Sequence, residues 1–156
     1  MGEHVKTITV NRKARHDYAI LETFEAGIAL QGTEVKSLRE GRANLRDSYG
    51  QMIGHELYLC NAHISPYEHG TYANHEPRRD RKLLMHRRQI DRIAGRIQER
   101  GLTLVPLRMY FKRGKAKVEL ALARGKRTYD KRESIKRRIA DREAERALSS
   151  RGRLQS

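Results

Sequence analysis

The chain has 156 residues, 37% of them hydrophobic and 34% charged, and its formal charge is +15. That length suits one domain with an appendage, and such a cationic surplus favours a polyanionic partner, nucleic acid first and an acidic membrane surface second. The longest apolar runs, such as Leu57–Cys60, fall far short of the roughly 20 residues that a bilayer span needs, and a single cysteine, Cys60, excludes an internal disulfide.

The first residues, MGEHVKTITVN, hold no apolar stretch of signal-peptide length, and Thr7 is one place late for the myristoylation pattern. With one cysteine in a strand-like run, a reducing compartment and a cytoplasmic location are expected, with the thiol buried. The basic run Arg12-Lys-Ala-Arg-His16 then leads into the first expected strand. From Tyr18 to Leu30 apolar residues recur at even positions, the period of a strand with one buried face, and Gly27 marks a candidate bend or bulge. Thr33 is the expected N-cap of a short helix over Glu34–Glu40, with Val35 and Leu38 inward, Lys36 and Arg39 outward, and Gly41 as its stop.

Two short β-like runs follow, around Tyr49–Ile53 and Glu56–Ile64, joined as a hairpin at Gly54-His55. Ser65–Asp80 carries Pro66, Gly70, Asn74 and Pro77 and reads as a long loop. After Arg81-Lys-Leu-Leu84, the residues Ile90, Ile93, Ala94 and Ile97 follow helical spacing, which predicts a helix over Arg87–Arg100 stopped by Gly101. Leu102–Phe111 and Ala116–Ala123 form a second hairpin turning near Arg113-Gly114. In it Val105, Leu107, Met109 and Phe111 share one face. Pro106 cannot donate a ladder hydrogen bond, so that strand is expected at an edge or bulged there. Strands and helices in this order predict a mostly β chain, an antiparallel sheet closing as a small OB-like barrel with two or three peripheral helices.

Catalytic constellations are not legible. Seven histidines (His4, His16, His55, His63, His69, His75, His86) form no helical i, i+4 pair and no HExxH, so neither a metal site nor a cofactor is expected. His16-Asp17 could be a base with its orienting acid, but adjacent side chains rarely point the same way. The basic clusters Arg12-Lys13, Arg78-Arg79, Arg81-Lys82, Arg87-Arg88 and Lys112–Lys115 are interleaved with Tyr18, Tyr67, Tyr72 and Tyr110. Aromatic rings beside fixed cations suit RNA, whose unstacked bases lie on rings while Arg and Lys hold phosphates.

Several stretches resemble the SsrA-binding protein (SmpB) family: Asn11-Arg-Lys-Ala-Arg-His-Asp-Tyr18, Phe24-Glu-Ala-Gly-Ile28, Leu30-Gln-Gly-Thr-Glu-Val-Lys-Ser-Leu-Arg39, Ile64-Ser-Pro-Tyr67, Arg81-Lys-Leu-Leu84, Gly101-Leu-Thr-Leu-Val-Pro106, Gly125-Lys-Arg127 and Asp130-Lys-Arg132. The resemblance implies a non-enzymatic adaptor that binds the tRNA-like domain of transfer-messenger RNA and delivers it to stalled ribosomes for trans-translation. It carries no membrane partner and implies a monomer when free. By position, Arg15, His16, Tyr18 and Glu25 fall where the family contacts or shapes its RNA surface, and Arg12, Lys13, Lys36, Arg81 and Lys82 are the further RNA candidates. A carboxylate such as Glu25 would repel phosphate, so it should accept from a base or a 2′-hydroxyl, or position a cation.

The division expected is a barrel over residues 1–124 and a basic tail over 125–156. Lys126, Arg127, Asp130, Lys131 and Arg132 match the family's ribosome-engaging segment, with Tyr129, Lys136, Arg137 and Arg138 beside them. Tyr129 stands where some members carry His, and His86 stands where others have Asn. Glu133 is spaced to pair with Lys136 and Arg137, but Arg142 and Arg146 interrupt the apolar stripe that Ile135 and Ile139 begin. Such a tail is expected to be disordered alone and helical against ribosomal RNA. Two other readings stay open: a metal-dependent nuclease with Glu25, Glu34 or Asp47 as ligands, and a structural protein of the ribosome.

Overall fold

The computed structural model describes residues 5–68, 74–99 and 101–125. The elements in chain order are β1 (Val5–Val10), α1 (Arg12–Asp17), β2 (Tyr18–Ile28), α2 (Gly32–Arg39), β3 (Ala43–Asn44) and β4 (Tyr49–Ile53). There follow β5 (Glu56–Cys60), β6 (His63–Ile64), β7 (Arg81–Leu84), α3 (Arg87–Arg96), β8 (Leu102–Lys112) and β9 (Lys115–Gly125). The main sheet runs β1-β8-β4-β5-β7-β2-β9, and β9 pairs back onto β8, so six strands form a ring with β1 laid on β8 outside it. Every pairing is antiparallel. The described part of the chain is therefore mostly β with a few short helices.

The ring closes at a tight contact. Gly50 of β4 faces Leu104 of β8, and a Cβ built on Gly50 would lie 2.4 Å from Leu104 Cδ2. Inside the ring sit Phe24, Ala26, Ile28, Leu57, Leu59, Leu83, Leu104, Met109, Val118, Leu120 and Leu122, capped by Leu38 of α2 and by Ile90 and Ile93 of α3. The even positions of β2 from Phe24 onward thus face the core as their alternation requires. The two-residue turn Arg113-Gly114 has φ values of 53° and 77°, which suits the mirror-image turn that matches strand twist. The long second hairpin stands where the sequence puts it.

Elsewhere the structure corrects the local reading. The single inward face drawn for β8 does not hold, because the register slips at Leu107. Leu104 before the slip and Met109 after it point into the ring. Val105 and Leu107 point outward, with Ala121, Ala123 and Ala14 of α1. A bulge flips the face of every later residue, so period-two counting fails across it. Of the two alternatives expected at Pro106, the bulge holds, since the slip follows Pro106, and the sheet edge does not, since β8 has neighbours on both sides. In β2 the bulge falls between Ile20 and Glu22, while Gly27 pairs regularly with Leu84 and Lys117.

Helix α2 starts at Gly32 with Gln31 as N-cap, not Thr33. The Gln31 N–H donates to Glu34 Oε1 at 2.7 Å, and the Thr33 hydroxyl is committed to His75 Nδ1 at 2.8 Å. The run Glu56–Ile64 is split at Asn61, whose φ of 64° ends β5 and lets β6 pair separately with β3. Helix α3 ends at Arg96, short of Arg100, and His86 occupies its N-cap without a side-chain capping bond. Four elements lie outside the local reading: β1, α1, β3 and β7. Cys60 is buried as expected, and burial first, then Asp80, pushes its thiol up to about 11. No described helix is long and apolar enough to cross a membrane. The tail over 126–156 lies outside the described residues.

Candidate nucleic-acid interface

Outward residues of β2, β8 and β9 build one charged band across the ring. Glu119 pairs in register with Glu25 on one side and Arg108 on the other. Two adjacent carboxylates would repel, and cations separate them. Arg108 Nε donates to Glu119 Oε1 at 3.3 Å, and Arg15 Nη2, from the last turn of α1, reaches the same oxygen at 3.4 Å. The Arg108 guanidinium lies over the Tyr110 ring, 4.3 Å from its centre. The Tyr110 hydroxyl donates a short hydrogen bond to Glu25 Oε2, and Lys112 Nζ lies 3.2 Å from both Glu25 oxygens.

These contacts set the charge states. The Tyr110 bond, joined by Lys112 and Lys117, outweighs partial burial and holds the Glu25 carboxyl below its ordinary value. Burial first, then the Glu25 carboxylate, pushes the Tyr110 phenol up. Glu25 is thus a fixed, ionised acceptor on a largely cationic face.

One end of the band opens into a groove at the β8–β9 turn. Leu30, Val35, Leu84 and Phe111 are among the apolar residues lining a cavity of about 410 Å³, beside Lys115 and Lys117. Leu84 is half exposed there. An adjoining cavity of about 320 Å³ adds Lys6, Arg39 and Arg113 around Phe111. Apolar surface flanked by Lys and Arg can take an unstacked base and its phosphates together.

The other end of the band is α1. Asn11 anchors this six-residue helix: its side chain accepts the Ala14 N–H and donates to the carbonyls of Leu45 and Pro106. Arg12, Lys13, Arg15 and His16 are held exposed as a result. Lys13 Nζ lies 3.0 Å from Asp47 Oδ1, and His16 Nδ1 lies 3.0 Å from Asp17 Oδ1, so this adjacent pair does meet.

The remaining expected RNA residues part company. Lys36 is exposed, with its ammonium 5.6 Å from the Tyr67 ring centre. Lys82 is partly exposed and lies 3.7 Å from Glu56. Arg81 needs correction. Its side chain is wholly buried, with Nε 2.5 Å from Glu34 Oε2 and Nη1 2.7 Å from the Ala62 carbonyl, so no face of the guanidinium is open to a nucleic acid. The carboxylates suggested as nuclease ligands do not converge: Glu25, Glu34 and Asp47 each pair with separate cations. Among the described residues no three His, Cys, Asp or Glu side chains gather around a common point.

The local reading missed Arg108, Tyr110 and Lys112 as one unit, and missed Leu84. Their spacing at i, i+2 and i+4 of a strand was the available signal for the first three. The convergence of Tyr110 and Lys112 on Glu25, 85 residues away from Tyr110 in sequence, was not.

A family model described as SmpB protein matches residues 8–150. The SsrA-binding protein of Moorella thermoacetica is 62% identical over 155 residues, covering 99% of this chain and 100% of that one. That of Pelotomaculum thermopropionicum is 59% identical, covering 96% and 98%. A solved structure described as "tmRNA-SmpB: a journey to the center of the bacterial ribosome" superposes with a TM-score of 0.65 at 59% identity, covering 76% of this chain and 83% of its own.

Proposed function

Because the chain belongs to the SmpB protein family, we propose that it is the RNA-binding adaptor that takes transfer-messenger RNA to stalled bacterial ribosomes. The observation that carries this reading is the identity of about three residues in five with SsrA-binding proteins along nearly the whole chain. The charged band supports it physically. A fixed array of Arg, Lys and Tyr on a strand surface binds folded RNA by phosphate contacts and stacking, with no bond made or broken by the protein. The ring of strands is read as an OB-like barrel, a form that presents such a surface to nucleic acid.

In this reading Arg12, Lys13, Arg15, His16 and Tyr18 hold the RNA at the α1 end, Glu25 contacts it mid-band, and the groove beside Leu84 and Phe111 takes it at the far end. Lys36 and Lys82 contribute charge at the margin. Arg81 contributes indirectly, by fixing the framework. The segment after Gly125, with Lys126, Arg127, Tyr129, Asp130, Lys131, Arg132, Lys136, Arg137 and Arg138, engages the decoding region and mRNA channel of the ribosome. It works in the cytoplasm, as a monomer when free and without enzymatic activity.

The test is binding to the tRNA-like domain of transfer-messenger RNA against a plain duplex of equal length, across a salt series. Tighter binding to the tRNA-like RNA at every salt is expected. Equal binding to both, with only a steep salt slope, marks a nonspecific polycation and defeats the proposal.

A further inference from the structure

Glu25 is an acidic residue on a largely cationic face offered to a polyanion, next to Glu119, and its surroundings say how it is used. Four groups from two strands stand around it. Tyr110 and Lys112 come from β8, and Lys117 and Glu119 from β9, with Arg108 drawn towards Glu119 and away from Glu25. The Tyr110 hydroxyl and Lys112 both bond Oε2, filling the two acceptor positions of that oxygen. Among the described residues Oε1 accepts from Lys112 alone, at 3.2 Å. A carboxylate oxygen has two acceptor positions, so one on Oε1 stays open. The Glu25 side chain keeps 40% of its surface accessible.

Tyr110 differs from the cations in what it can do. Lys112 has a long flexible stem and neutralises charge without fixing direction. Tyr110 is nearly buried in β8, and its ring is clamped under Arg108, so its hydroxyl is a rigid donor. Resting on the RNA-binding reading above, we propose that Tyr110 is the positioning residue of the Glu25 contact. It saturates one carboxylate oxygen and aims the other, ionised, at a hydrogen-bond donor of the RNA. The donor is a base N–H or a ribose 2′-hydroxyl. Phosphate, which lacks a donor, is rejected at this point, so the site selects register on the RNA.

The experiment measures affinity of the full chain for a transcript of the tRNA-like domain, using wild type, Tyr110→Phe, Glu25→Gln and the double variant. Tyr110→Phe keeps the ring and its contact with Arg108, and melting curves confirm that it is folded. Its affinity should fall about tenfold, the loss typical of a hydrogen bond to a charged group. With the phenol bond gone and burial retained, the Glu25 carboxyl rises, so Tyr110→Phe should lose further affinity at a higher pH than wild type as pH drops from about 7 to about 5. In the Glu25→Gln background, Tyr110→Phe should cost nothing more, because the two act through one contact.

Two sets of substituted RNA identify the donor. One set carries single 2′-deoxy sugars, and the other replaces single base donors, such as inosine for guanosine. The substitution that weakens wild type but not Glu25→Gln marks it. Unchanged affinity and pH profile for Tyr110→Phe, a full additive loss in the double variant, or no RNA substitution coupled to Glu25 each overturn the inference. Wild type failing to prefer the tRNA-like RNA over duplex overturns the underlying function instead, and so tells the two failures apart.

Discussion

Arg81 and Glu34 form an ion pair entirely closed to solvent, with Nε 2.5 Å from Oε2. Glu34 comes from α2 and Arg81 from β7, and the loop before β7 is gathered around them. Arg79 Nη2 lies 2.6 Å from the other Glu34 oxygen, and Arg81 Nη2 donates to the Pro77 carbonyl at 3.0 Å. His75 clips the same loop down through the Ile64 carbonyl and Thr33. The buried Arg81 and the partly buried Arg79 thus share one carboxylate, and α2, β7 and the loop are locked to the ring through it.

Removing that carboxylate leaves a buried guanidinium without its counter-charge. Glu34→Ala should destabilise the fold by about 3–5 kcal/mol, the cost of breaking a buried pair from one side. Urea denaturation at neutral pH measures this; a loss below about 1 kcal/mol would show that the pair is solvated in solution.

The same site makes stability depend on pH. Burial pushes the Glu34 carboxyl up, but bonds from Arg79, the Gln31 N–H and Arg81 together hold it below its ordinary value. A carboxyl whose folded value is depressed stabilises the protein above its unfolded value, and this contribution is lost as pH falls through the folded value. Stability should therefore drop on acidification below about pH 4.5. In Glu34→Gln the drop over that window should be smaller, and identical acid profiles would contradict the assignment.

Gly50 is required by the ring closure. Leu104 is fully buried opposite it and has no room to withdraw from an added Cβ. Gly50→Ala should cost about 1–3 kcal/mol through overpacking, read as a lowered melting temperature. Gly54→Ala is a control of a different kind. A Cβ there meets nothing within 4 Å, but its φ of 64° strains the backbone.

On α1, Arg12→Ala and Arg15→Ala should each weaken binding to tRNA-like RNA and reduce the slope of log affinity against log salt by about 1. Stability should change by no more than about 0.5 kcal/mol, because both side chains are exposed. An unchanged salt slope would remove α1 from the interface.

A chain ending at Gly125 should keep its affinity for tRNA-like RNA and lose ribosome rescue, because the band and groove lie wholly before that residue. Loss of both would refute the division between a binding barrel and an acting tail. Circular dichroism of residues 125–156 alone should show mostly coil, gaining helix only with RNA.

Local pattern alone carried the two hairpins, the start of α3 and the inward face of β2 from Phe24 to Ile28. Each is decided by neighbours a few residues apart: alternation, helical spacing, and a Gly at a turn. The basic run on Arg12–His16 was likewise visible as charge before its helix was known. What local pattern does not encode is pairing between distant segments. Strands β1 and β7 are strands because β8, and β5 with β2, supply their hydrogen bonds. The slip at Leu107 exists because Asn11 and α1 occupy the outer face of β8 and take the carbonyls of Pro106 and Leu107.

The same limit separates two arginines that look alike in sequence. Arg15 and Arg81 both stand in basic clusters, and composition marks both for a polyanion. Only the assembled ring puts Arg15 on the surface and seals Arg81 against Glu34, because burial and charge pairing are set by which segments the ring brings together. By itself the sequence determined that this chain is cationic and mostly β, with a charge suited to a polyanion. The tertiary structure decided which of its charges stay on the surface and which are spent holding the fold.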